Sequence, residues 1–208
     1  MLTAPLEIDR PPLDLFAGST LIDLDGAERA AAALLAALGV PDGSEAALRT
    51  PARMVAGLAE LLSAPQWEFT TFPNREDQHE LVLARDVPFT SVCAHHLLPF
   101  SGVAQVGVLP GKTIAGLSKL ARTVEAFAAR MQVQEELGQQ IAAFLEEQLK
   151  CCGIGVVLIA EHLCMTRRGV RSLGADTVTI ASRGQLRDDP AARAEFLSLA
   201  VPQTRRAA

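Results

Sequence analysis

The sequence predicts an α+β chain, in which a helical N-terminal region leads into a strand-strand-helix-helix-strand-strand unit. Two observations carry this. Apolar residues recur at intervals of three and four through residues 26–62, contract into short strand-like runs after residue 80, and return to the helical interval between residues 117 and 149. Strand-like runs then reappear before a last short helix. At 208 residues the chain can form one substantial core and hardly two full-sized domains.

The elements follow in order. Residues 1–20 carry Pro5, Pro11 and Pro12 without periodicity and read as an extended arm. Residues 21–64 form a helical region. Its first helix runs from Gly26 to Leu38, with Gly39 as the stop. Its second is announced by Thr50-Pro51 and carries Met54, Val55, Leu58, Leu61 and Leu62 on one face. Residues 65–208 form the main domain. After a loop over 64–79, Leu81–Ala84 and Val103–Leu109 read as strands, the second closed by Pro110-Gly111. Leu117, Leu120, Val124 and Phe127 mark one helix, and Leu137, Ile141, Phe144, Leu145 and Leu149 the next. Ile154–Ala160 is a nearly continuous apolar run, as in a strand buried on both faces, and Thr177–Ile180 is another strand. Asp189-Pro190 opens the last helix. Such a unit leaves sheet edges that need cover or a partner, so oligomerisation is expected.

Composition narrows the function. Hydrophobic residues make up 49% and charged residues 21% of the chain, whereas aromatics reach only 4% with no Tyr. Few aromatic platforms and a net charge of −5 argue against nucleic-acid binding, which needs a broad basic face or stacking surfaces. No run of 18 apolar residues spans a membrane, and the first residues lack the form of a secretory signal. Cysteines at 93, 151, 152 and 164 fit no small disulfide scaffold, so a cytoplasmic protein is expected. Cys151 and Cys152, at the end of the second main-domain helix, read as packing residues.

The densest chemistry lies in Ser91–Phe100, where Cys93 and His96 stand three apart and His95 lies between them. Glu161-His162-Leu163-Cys164 supplies a second His and Cys, two apart, which on a strand would share a face. A lone buried Cys is usually a small hydrophobe. Three of the four His and two of the four Cys fall in these two short segments, however, and thiolate plus imidazole is the donor set zinc prefers. With Cys93, His96 and Cys164 as ligands, zinc would keep an open fourth position, where a bound water has its pKa lowered to about 7. His95 and His162 would then lie beside the metal, free to move protons.

A second constellation suits an anion. Ser118, Lys119 and Arg122 open a helix, with the two cations neighbours on one face and unpaired backbone N–H groups nearby. Arg167-Arg168 brings more positive charge just beyond Cys164. Gln134-Glu135 begins the next helix. A Glu there ordinarily complements the helix dipole, yet a carboxylate can also accept the paired N–H donors of guanine. Gly107–Thr113 imitates a phosphate-binding P-loop, but three residues rather than four separate its glycines.

Together these segments resemble the GTP cyclohydrolase I family, from about Thr50 to Leu199. The resemblance rests on Ser91–Gly102, Gly116–Arg122, Gln132–Glu135, His162–Met165 with Arg168-Gly169-Val170, and Arg187–Pro190 with Glu195-Phe196-Leu197. It implies the tunnelling fold (T-fold), in which such units join edge to edge into a barrel, and a homodecamer of five dimers with sites between subunits. It implies zinc on Cys93, His96 and Cys164, and proton transfer by His162 and by His95. It further implies a guanine clamp of Glu135 helped by Gln134, and triphosphate binding by Ser118, Lys119, Arg122 and Arg168. The implied reaction converts GTP to 7,8-dihydroneopterin triphosphate and formate, the first step of pterin and folate synthesis. A related T-fold enzyme acting on another pterin or deazapurine intermediate is the alternative, and a structural zinc scaffold would need a closed four-ligand site. Three positions depart from the family pattern: Ala94 stands in place of Glu, Glu136 in place of Arg, and Thr166-Arg167 in place of an apolar pair.

Overall fold

The structure is a computed structural model that describes residues 22–201, so the arm expected over residues 1–20 lies outside the described residues. The chain divides into two compact units, one ending at Val55 and the other starting at Ala56. Helix α1 spans Leu24–Ala37, where Asp23 Oδ1 accepts the Gly26 N–H at 2.9 Å and Gly39 turns the chain at φ 84°. Helix α2 spans Glu45–Leu61 and begins upstream of the expected Thr50-Pro51 start. Ser44 is the effective cap, its hydroxyl accepting the Ala47 N–H at 3.1 Å. Pro51 sits buried inside the helix, where it lacks a single N–H.

The second unit continues with β1 (Thr71–Pro73), β2 (Val82–Cys93), β3 (Pro99–Leu109), β4 (Thr113–Ala115), α3 (Leu117–Ala128) and β5 (Met131–Gln132). It closes with α4 (Gln134–Leu149), β6 (Gly153–His162), α5 (Leu163–Thr166), β7 (Thr177–Gly184), α6 (Gln185–Asp188) and α7 (Pro190–Ala200). The main sheet has the order β5-β2-β3-β6-β7 and is antiparallel except for β5, which runs parallel to β2. A small ladder of β1 and β4 interrupts the loop expected over 64–79, since strands of three residues are too short to show a period.

Strand β2 runs well past the expected Ala84. A bulge between Ala84 and Val87 breaks its alternation, with Asp86 at φ 54°. The buried Gln105 side chain stabilises the bulge, accepting the Asp86 N–H at 2.8 Å and donating to Asp86 Oδ1 at 3.0 Å. Leu120, Val124 and Phe127 of α3 join Leu137, Ile141 and Leu145 of α4 in the buried core over the sheet. On β6, Gly153–Leu158 are buried throughout, as the apolar run implied. Helix α7 starts as expected, with Asp189 capping Ala191 at 2.8 Å. Its Phe196 lies against Gly107 and Gly155, which are paired in register, and a Cβ at either would overlap the ring.

The register sets the geography of the site. The C-terminal ends of β2 and β6 lie at one end of the sheet, and Cys93 pairs with Gln132 of β5. Helix α3 therefore ends, and α4 begins, at that same end. The first turn of α3 lies toward the opposite one, a helix length of roughly 18 Å away at 1.5 Å per residue.

Candidate metal centre and active site

Cys93 closes β2, and the chain turns back into β3 through residues 94–98. The turn is tight: the Cys93 carbonyl accepts the His96 and Leu97 N–H groups at 3.3 and 2.9 Å, and Leu97 adopts φ 55°. This folds His96 over Cys93, with Nδ1 3.8 Å from the thiol sulfur. Cys164 arrives from the far side of β3. The expectation that it shares a strand face with His162 is corrected, because β6 ends at His162 and Cys164 lies in the helical turn α5. That turn sends the two side chains to different neighbours, His162 to Phe100 and Gln134 and Cys164 to Cys93 and His96.

The ligand atoms of Cys93, His96 and Cys164 all lie within 4.8 Å of one another. A tetrahedral zinc with bonds near 2.0–2.3 Å sets its ligands about 3.5–3.8 Å apart, so the cluster needs only a small contraction to hold one. Burial, then the neighbouring Cys93 sulfur, pushes the Cys164 thiol above its ordinary pKa, while Arg168 acts in the opposite sense. Two thiols at this distance resist bearing two negative charges, and a divalent cation removes that resistance. The donor set fits a metal ion.

His162 is held beside this cluster. Its ring stacks on Phe100 with centroids 4.5 Å apart and planes within 4°, and its Nε2 lies 2.6 Å from Gln134 Oε1. Burial lowers its pKa below the ordinary value, partly offset by the Glu135 carboxylate. Glu135 itself is exposed in the first turn of α4. His95 is exposed, with its ring 6.3 Å from that of His96, and Arg168 Nη1 stands 3.2 Å from His96 Nε2.

The remaining candidates fall elsewhere. Ser118 and Arg122 line an open cleft of about 1120 Å³ with Thr90, Ser101 and Glu125, and that lining includes none of Cys93, His96, His162 or Cys164. Lys119 is tethered instead, its ammonium donating to the Glu68 carbonyl and standing 5.5 Å from the Trp67 ring centroid. One chain thus brings the metal group, His162, Gln134, Glu135 and Arg168 to one end of the sheet. It leaves Ser118, Lys119 and Arg122 apart from them.

A family model for GTP cyclohydrolase I matches residues 27–201. The chain belongs to the GTP cyclohydrolase I family. Curated relatives named GTP cyclohydrolase 1 from Bacillus cytotoxicus, Bacillus mycoides and Bacillus cereus are each 45% identical over 181 residues, covering 85% of this chain and 96% of theirs. A solved apo structure titled as the archaeosine synthase QueF-Like aligns with 51% of this chain and 94% of its own at 14% identity, with a TM-score of 0.39, too low to argue from.

Several supporting residues carry no signal in the sequence. Phe100 lies within Ser91–Gly102, yet only the pairing Phe100↔His162 across β3 and β6 shows that it carries the His162 ring. Thr166 is buried and donates to Glu161 Oε1 at 2.8 Å. Ala94 is anchored by its backbone, its N–H reaching the Gln132 carbonyl at 3.0 Å. Cys151 and Cys152 follow α4 rather than end it, and burial pushes the Cys151 thiol to about 11. No described helix is long and apolar enough to cross a membrane.

Proposed function

We propose that this chain converts GTP to 7,8-dihydroneopterin triphosphate and formate, the entry reaction of pterin and folate synthesis, with zinc held by Cys93, His96 and Cys164. The Cys93–His96–Cys164 cluster beside His162, in a member of this family, is the observation that carries the reading. Zinc, when bound there with a position open, supplies an acidified water at neutral pH for attack on a purine carbon.

The rest is the work of side chains. His162 moves a proton to or from the imidazole ring of GTP during ring opening, and its partial burial, which lowers its pKa, favours the neutral ring. His95, exposed on the turn, is the second candidate for proton transfer. Glu135 accepts the guanine N1–H and exocyclic amine, with Gln134 beside it. Ser118, Lys119, Arg122 and Arg168 receive the triphosphate.

The separation of Ser118 and Arg122 from the metal end supports a site completed by a second copy, as in a T-fold homodecamer of five dimers whose barrel is closed through sheet edges. Lys119, tethered to the Glu68 carbonyl, must leave it to grip phosphate. The four free cysteines suit a reducing compartment such as the cytoplasm.

The test is direct. Metal-loaded protein incubated with GTP should release formate and a neopterin triphosphate in equal amounts. Release of phosphate or GDP without formate would overturn the assignment. Turnover of GTP but not of guanosine would separate it from action on a non-phosphorylated pterin or deazapurine.

A further inference from the structure

His162 has two ring nitrogens, and the chain itself decides which one carries hydrogen. Gln134 is only 2% exposed, and its amide nitrogen faces three acceptors: the Leu158 carbonyl at 3.1 Å, the Thr177 carbonyl at 3.0 Å and Thr179 Oγ1 at 3.1 Å. Carbonyl oxygens only accept, so two of those contacts require the NH₂ end of the amide. The flipped amide would set oxygen against oxygen twice in a buried place. The side-chain oxygen must therefore face His162. That oxygen also only accepts, so the His162 Nε2 at 2.6 Å must be the donor.

The geometry points to Gln134 as a positioning residue that locks His162 in its Nε2–H form and leaves Nδ1 as the nitrogen that exchanges a proton with substrate. The inference rests on the proton-transfer role proposed for His162. Gln134 sets the tautomer, and the Phe100 ring stacked at 4.5 Å sets the plane. The anchor is rigid because Gln134 ties the start of α4 to neighbouring strands, through Leu158 of β6 and Thr179 of β7. Both amide hydrogens are engaged within the chain, whereas the adjacent Glu135 carboxylate is exposed. Of this Gln-Glu pair, Glu135 faces the ligand and Gln134 faces the histidine. An imidazole with a fixed tautomer needs no rearrangement before it accepts a proton at Nδ1.

The experiment uses the full chain loaded with zinc and labelled with ¹⁵N-histidine, examined by magic-angle-spinning NMR at pH 8 without substrate. The His162 signals are identified by their loss in His162→Ala. The expected spectrum shows protonated Nε2 and bare Nδ1 for His162. In Gln134→Leu the two tautomers should mix, while kcat on GTP falls about ten- to a hundredfold and KM stays within about threefold, the size seen for partners of active-site groups. Nδ1–H in the parent protein, or an unchanged His162 spectrum in Gln134→Leu, would overturn the inference. So would a raised KM at unchanged kcat, which is the mark of direct contact with the base. The spectrum requires no turnover, so it is decided separately from the GTP reaction, and the parent spectrum alone decides if Gln134→Leu does not fold.

Discussion

The two polar clusters of this molecule stand toward opposite ends of one sheet and are built in opposite ways. At the metal end, side chains from the β2–β3 turn, β3, α4, β6 and α5 converge, each held by another: Cys93 by its turn, His162 by Phe100 and Gln134. At the other end, Ser118 and Arg122 project from the first turns of a single helix into an open cleft, and Lys119 is tied to Glu68. Groups that must act within tenths of an ångström are fixed by tertiary structure. Groups that grip a flexible polyphosphate tolerate a looser setting. On the proposed reading, one copy completes the metal half and a neighbour supplies the other.

Substitutions at the two ends should therefore fail differently. The largest effect is expected for Cys164→Ala, which removes one of three metal ligands. Metal content should fall below one ion per chain, and formate release should drop by more than about a thousandfold. Full activity in this variant would remove the metal cluster from the account. His162→Ala comes next, with a loss of about 10²- to 10⁴-fold and bound metal unchanged. Loss of metal along with activity would place His162 in the ligand set instead.

Arg122→Ala samples the looser end. We expect kcat/KM for GTP to fall about ten- to a hundredfold, mostly through KM, because a charge-assisted hydrogen bond contributes about 1.5–3 kcal/mol. Metal content and the His162 spectrum should not change. A purely kcat defect would contradict the division between the two ends.

The smallest effect concerns pH. Burial lowers the His162 pKa in the folded chain, so as pH falls the unfolded chain takes up the proton first. The resulting stability is full above the ordinary value of about 6.5 and is lost as pH drops through the lower folded value. Metal-free protein should show a decline in melting temperature between pH 7.5 and 5, and the decline should be shallower in His162→Leu. Equal slopes would mean that the ring is as well hydrated folded as unfolded.

What the sequence disclosed follows the same division. That Cys93, His96 and Cys164 gather in one cluster could be read from the linear chain because thiols and imidazoles are few and were concentrated in two short segments. The helices α3, α4 and α7 were legible from their periodicity and from the Asp189 cap. The start of α2 was not, since Thr50-Pro51 looks like a better start than Ser44, whose cap shows only in three dimensions. The length of β2 was hidden by the bulge at Asp86, where alternation fails. The partners of His162 stayed hidden for a further reason: Phe100 and Gln134 meet it only through the register of β3 on β6 and the entry of α4 beside them. Pairing register is a property of the whole sheet, and no local pattern announces it.

In the proposed assembly, one copy supplies the metal ligands and His162 while another supplies the α3 cations. Co-expression of Cys164→Ala with a Lys119→Ala/Arg122→Ala variant tests it, using assemblies purified through tags on both chains. Each variant alone should be nearly inactive. If sites are shared between copies, the mixed assemblies will regain GTP-dependent formate release well above the sum of the two. If activity stays at that sum, both halves act within one chain and the claim fails.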